Sequence, residues 1–262
     1  MDRQGETDFD DLIGTQAAQA VRLGSIVVDK LSQAILDGRL KEGDALPSEG
    51  RIAESFGVSK QIAREAIRDL AAMGVVTAQQ GKVARVCALK VEPLGNFFRF
   101  AVHGSVNGLT DAVELRRILE PQVAALAAVR RRPEQVAGLG AILARMQAAI
   151  GDVPAWMAAD LDFHSALGPM SGNALLTFQL RALRPVISEI MAMFNSPHGR
   201  TDADLQATFA RHRDVHDAIV AGDAAAAQAA MHRHFAAADQ RIRDLFPEAD
   251  LRALGAGFAA GA

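Results

Sequence analysis

The sequence predicts a mainly α-helical protein in two parts: a small module of helices closed by one β-hairpin, then a larger all-α helical bundle. Three observations carry this. Alanine, the strongest helix former, supplies about a fifth of the 262 residues, and tyrosine is absent. β-prone residues gather in one place only, VVTAQQGKVARVC over 75–87, where two short arms flank Gln80-Gly81. From 109 onward, apolar residues recur at helical spacing between breaks at Gly151, Gly168-Pro169, Ser196-Pro197 and Gly222-Asp223.

Composition narrows the function classes. Half the residues are hydrophobic and 23% are charged, enough for packed cores in one large or two modest domains. No apolar run approaches the roughly 18–20 residues that cross a bilayer. The opening MDRQGETDFDDL is acidic and lacks the basic and apolar regions of a secretory signal. The lone Cys87 allows no disulfide or thiolate cluster within one chain, so a reducing cytoplasm is the expected compartment. Net charge is −3, which by itself argues against a nucleic-acid partner, but the charge is unevenly spread. Residues 1–21 carry a net −4, residues 22–87 a net +2, and the remainder a net −1. An acidic and flexible leader thus conceals a mildly basic module.

Within that module, Ser48 of LPSE can cap a helix that runs through Phe56, where Gly57 supplies a left-handed terminator. Ser59 caps a second helix from Lys60 to about Met73, ended by Gly74. Two helices joined by a short Gly-containing turn form a helix-turn-helix, and the hairpin after them makes a wing. Ile62, Ala66, Leu70 and Met73, with Ile67 alongside, are expected to face the core. Lys60, Arg64 and Arg68 form a basic stripe on another face. Ser59, Lys60, Gln61 and Arg64 sit at the end that a recognition helix turns toward base edges. Arg68 and the wing tip Gln80, Gly81 and Lys82 complete the expected DNA contacts, while Glu65 and Asp69 offer the stripe ion-pair partners within the protein.

From about Val21 to Val86 the chain resembles the winged helix-turn-helix of the GntR superfamily. The pattern I-x-x-G-x-L-x-x-G-x-x-L-P-S-E is met at Ile35, Gly38, Leu40, Gly43, Leu46, Pro47, Ser48 and Glu49, and G-V-S-[RK]-x-x-x-R-E-A-[IL]-x-x-L from Gly57 to Leu70. Gly50 departs from the Arg that many members place after P-S-E, and Arg51 stands where an acidic residue is usual. The resemblance implies a transcription regulator that binds double-stranded DNA.

Residues 88–108 mix Pro, Gly and aromatics and read as a linker holding a short apolar element. Six amphipathic helices follow, at 110–130, 133–150, 154–168, 173–195, 202–221 and 223–245, and the tail 247–262 reads as loose. Asp160 and His164, four apart, share one helix face, a carboxylate beside an imidazole that suits a divalent metal. His212 and His234 fall mid-helix, and facing helices of a bundle can build a metal site. His103 and His198 fall in loop-like stretches. Any one of these histidines is more simply a surface or hydrogen-bonded core residue. The pair His212/His216 lacks the Glu of a zincin motif, and Asp152, Asp162 and Glu189 are scattered without an acid–base pairing.

Residues 109–246 resemble the all-helical FCD domain of the FadR branch of GntR regulators. The resemblance rests on ELRRILE at 114–120, on Asp160-x-x-Phe163-His164 with Gly172-Asn173 after it, on His212 followed by Ala218-Ile219 and Gly222-Asp223, and on Met231-x-x-His234. It implies a divalent metal, with zinc foremost and nickel or manganese as alternatives, held by Asp160, His164, His212 and His234. His216 and His232 fall outside that set. Arg116 either holds the carboxylate of a small acidic effector or pairs with Glu120. The expected whole is a homodimer on a palindromic operator, released or retained according to a small organic acid at the metal. Two other readings remain at this point: a metal-dependent hydrolase or isomerase carrying a DNA-binding fold, and a purely structural zinc domain.

Overall fold

The structure is a computed structural model and describes residues 7–79, 81–105, 107–195 and 201–245. The chain folds into two compact units, Met1–Pro93 and Leu94–Ala262.

The first unit contains α1 (Thr7–Leu36), α2 (Glu49–Phe56), α3 (Lys60–Ala72), β1 (Val76–Thr77) and β2 (Arg85–Val86). The strands pair antiparallel, with Val76 opposite Val86 and Thr77 opposite Arg85, and Ala45 adds a bridge to Arg85. The core takes Val27, Val28 and Leu31 from α1, Ile52 and Ala53 from α2, and Val76 and Val86 from the hairpin. From α3 it takes Ala63, Ala66, Ile67 and Leu70, an i, i+3, i+4, i+7 stripe. Met73, expected in the core, is instead about half exposed beyond the last turn of α3, and Ala63 fills that face. The segment expected as a flexible leader, 1–21, is described from Thr7. From Thr7 onward it is part of α1, a single 30-residue helix with no break at 21.

The second unit is helical throughout its described residues. It comprises α4 (Glu92–His103), α5 (Gly108–Arg130), α6 (Pro133–Ala148), α7 (Val153–Met170), α8 (Ala174–Asn195), α9 (Asp202–Ala221) and α10 (Ala224–Leu245). Its main core joins α5, α6, α7, α9 and α10 through residues such as Val123, Leu139, Trp156, Phe163, Val215 and Met231. A second cluster joins Val102 of α4 with Leu109, Leu161, Leu183, Val186 and Ile190.

Two expectations change here. The segment read as a linker, 88–108, holds α4, which also carries His103 in its last turn. Pro93 is tolerated because a first helical turn needs no N–H from that position. Gly95 serves packing: a Cβ there would lie 3.2 Å from the Ala182 carbonyl oxygen. Likewise Gly168-Pro169 does not end its helix, and α7 continues to Met170. A Cβ on Gly168 would lie 2.9 Å from the α-carbon of Thr177, so this glycine permits close approach to α8. The left-handed residue that stops the chain is Gly172, at φ 63°. His198 and the tail 247–262 lie outside the described residues.

Candidate metal centre and nucleic-acid interface

The two caps of the helix-turn-helix form where their residue types require them. Ser48 accepts from Arg51 N at 3.2 Å to start α2, and Gly57 ends it at φ 64°. Ser59 accepts from Ile62 N at 3.2 Å to start α3, leaving its hydroxyl hydrogen to donate. Lys60, Gln61, Arg64 and Arg68 are all exposed along α3, as are Gly81 and Lys82 in the wing. Gly81 turns the wing at φ 76°, and Gln80 lies outside the described residues.

Most of the stripe is held by carboxylates. Arg64 donates through Nε and Nη2 to the two oxygens of Glu49 at 3.0 and 2.8 Å, fork to fork. Glu65 Oε1 accepts from both Gln61 Nε2 and Arg68 Nη1 at 2.8 Å. The Arg64 hydrogen bond holds the Glu49 carboxyl below its usual range. Such exposed pairs are weak and can be exchanged for phosphate. A Cβ on Gly50 would lie 3.7 Å from Lys60 Cε, an ordinary contact.

The second unit buries a polar cluster. Asp160 and His164 on α7, His212 on α9 and His234 on α10 are each at most 7% exposed. One ligand-type nitrogen from each histidine lies within 4.8 Å of the others. His212 Nε2 stands 3.4 Å from His164 Nε2 and 3.1 Å from Asp160 Oδ1, and Asp160 Oδ2 is 4.0 Å from His164 Nε2. The outer nitrogens have their own partners. His164 Nδ1 meets Glu120 Oε2, and His212 Nδ1 donates to the Thr208 carbonyl at 2.9 Å. Glu120 in turn accepts from Arg116 Nε. His234 Nδ1 is buried with no hydrogen-bond partner among the described residues.

This arrangement fits a bound cation. An imidazole that gives its Nδ1 proton to an outer acceptor presents a lone pair at Nε2. Two such lone pairs face each other beside a carboxylate, with an orphaned imidazole nitrogen in the same cluster. Outer acceptors that fix the histidine tautomer are the usual support of a metal ligand. Burial works against ionisation of Asp160, but its contact with His212 and the surrounding imidazoles outweigh it and hold the carboxyl far below its usual range. Burial, reinforced by His212 and His164, pushes His234 well below 6.5, keeping it in the neutral form that binds metal. Burial also opposes the charge on Glu120, yet Arg116 and His164 lower its pKa to about 2.

The other residues singled out in the sequence are now placed. Arg116 pairs with Glu120 and stacks its guanidinium 5.3 Å from the Phe235 ring centroid, the second of the two roles open to it. His216 pairs with Asp217, and His232 is exposed; neither joins the cluster. Asp152 caps α7, Asp162 accepts from Arg145 and Arg184, and Glu189 pairs with Arg99 and His103. Glu120 was legible in the sequence only as a partner for Arg116. Its contact with His164 spans 44 residues, and no local pattern announces it.

Comparison with known proteins agrees with both units. Residues 23–86 match the gntR family of bacterial regulatory proteins, and residues 111–237 match the FCD domain. The HTH-type transcriptional regulator LutR of Bacillus subtilis is 29% identical over 82% of this chain and 98% of its own. The HTH-type transcriptional regulator Mce2R of Mycobacterium tuberculosis is 31% identical over 78% of this chain and 85% of its own. A solved Streptococcus agalactiae GntR structure superposes with a TM-score of 0.64 at 28% identity, covering 83% of this chain and 99% of that one. These are regulators and not enzymes, so the hydrolase or isomerase reading falls away. Capped recognition helix, wing and helical bundle thus follow one another in a single chain, which belongs to the GntR family of transcription regulators, in the branch that carries a C-terminal FCD domain.

Proposed function

We propose that this regulator binds a palindromic operator as a homodimer and answers to a small organic acid at a divalent metal centre. The carrying observation is the buried convergence of His164 and His212 Nε2, with their Nδ1 atoms held by Glu120 and the Thr208 carbonyl. Asp160, His164, His212 and His234 are the residues that would hold the ion, with zinc foremost and nickel or manganese as alternatives. Such an ion would supply a Lewis-acidic centre for an anionic oxygen. Arg116 lines the adjacent cavity with Glu120 and His164. Its Nε bond to Glu120 uses one of five donors, so the guanidinium can also meet an effector carboxylate.

On the DNA side, Ser59, Lys60, Gln61, Arg64 and Arg68, with Gln80, Gly81 and Lys82 of the wing, are the proposed contacts. Two-fold protein symmetry would be mirrored in the operator. The test is twofold. Elemental analysis of the purified protein should find about one divalent ion per chain, and His164→Ala should lose it. Electrophoretic or anisotropy titration on a short palindrome should show a steep salt slope and a specificity ratio of about 10³ or more. Metal retained in His164→Ala, or equal affinity for unrelated DNA, would overturn the respective half.

A further inference from the structure

The seam between α7 and α8 carries two adjoining openings. The inner one, about 20 Å³, touches the histidine cluster and is lined by Arg116, Glu120, His164, Ser165 and a floor of Leu180, Leu183 and Ile187. It has room for about one water. The outer one, about 540 Å³, is open to solvent and lined by Val153, Pro154, Met157, Ala158, Ser188 and Ala192. Two residues line both openings, Leu161 and Arg184. Only the outer opening can house the body of an organic acid, and Arg184 stands at the neck.

Arg184 is equipped for that place. Its Nη2 donates to Asp162 Oδ1 at 2.7 Å and its Nη1 to Ser165 Oγ at 3.1 Å. Asp162 is shared with Arg145 at 2.8 Å, so two guanidiniums meet one carboxylate and leave a positive excess at the neck. Beyond the neck the walls are mainly aliphatic. A chain of hydroxyl groups would find few partners there, whereas a hydrocarbon chain would be buried at no polar cost.

We propose that the α7–α8 groove is the outer half of the effector site, that Arg184 binds the effector carboxylate, and that the effector is a small acid with an apolar chain rather than a polyhydroxylated sugar acid. The head lies at the neck on Arg184, having displaced Ser165 from it, and the tail lies outward against Val153, Met157 and Ala158. This inference rests on the effector reading above and sharpens its chemistry.

The test is calorimetric titration of the zinc-loaded full-length protein with butyrate, 2-hydroxybutyrate, butyramide and gluconate. The four-carbon acids should bind, and the uncharged amide and gluconate should bind about 10- to 100-fold more weakly. Arg184→Gln should remove the preference for butyrate over butyramide, a change that loss of mere packing would not cause, while Arg184→Lys keeps part of it. Ala158→Trp, at an exposed position, should block the tail at unchanged zinc content. Acids that bind the wild type and all three variants alike would place the effector elsewhere, overturning this inference and leaving the regulator reading intact. Preference for gluconate would overturn the apolar class. No response to any acid, with zinc bound and operator affinity normal, would overturn the effector reading itself and this inference with it.

Discussion

The two polar sites of this protein are built on opposite terms. On α3 the charges are exposed and loosely paired: Arg64 leans on Glu49, Arg68 on Glu65, and both could trade carboxylate for phosphate at small cost. In the bundle the charges are sealed among Trp156, Phe163 and Phe235, where His164 and His212 have partners for their outer nitrogens and His234 Nδ1 has none among the described residues. Single substitutions should therefore be graded at the surface and severe in the core.

The largest effect is expected at His212, which is fully buried and contacts both Asp160 and His164. His212→Ala should abolish stoichiometric metal binding. With free ion at about 1,000 times its dissociation constant, a bound metal would contribute about 4 kcal/mol to wild-type stability. Chelator should therefore lower the wild-type Tm markedly and leave the variant's unchanged. Next comes Glu120→Gln, which keeps the shape but weakens the hold on His164 and leaves Arg116 without its carboxylate. Metal affinity measured against a competing chelator should fall about 10- to 100-fold. If Glu120→Gln binds metal as tightly as wild type, the core is more forgiving than its burial implies.

On the exposed side, Arg64→Ala should weaken operator binding by about tenfold or more, with no change in Tm beyond that of other surface variants. Unchanged operator affinity would remove Arg64 from the interface. The smallest effect is that of acid on the Glu49–Arg64 pair. The Glu49 carboxyl sits below 4.5 in the folded state, so its contribution is complete above 4.5 and is lost as pH falls through the lower folded value. Stability should be flat on this account between about pH 6 and 8, and Glu49→Gln should remove part of the decline in acid.

The same contrast explains what could be read from the sequence. Helices and their caps were legible because each signal is local: Ser48 and Ser59 cap within three residues, and Gly57, Gly74 and Gly222 take positive φ where a helix must stop. The stripe on α3 was legible from spacing alone. Gly168 and Gly95 misled because a glycine that lets another helix approach looks the same, in sequence, as one that ends its own. Met73 misled by one turn, since the face that packs is fixed by α1 and the hairpin and not by α3 itself. In the bundle, periodicity and family resemblance singled out Asp160 and the three histidines. Glu120 and Arg184 became visible only once α5, α7 and α8 were placed, because their partners lie 44 and 19 to 22 residues away.

The close approach at Gly168 has one more consequence. It pins α7 to α8 at Thr177, while the far end of the same seam is open. If the two helices spread at that open end, the glycine contact is the natural pivot. Val153 lies about 22 Å from that pivot along α7 and His164 only about 6 Å, by the rise of a helix. Spreading the helices by about 2 Å at the outer end moves the histidine by roughly 0.5 Å, about a quarter as far. A widening at the rim would therefore disturb the imidazole spacing least.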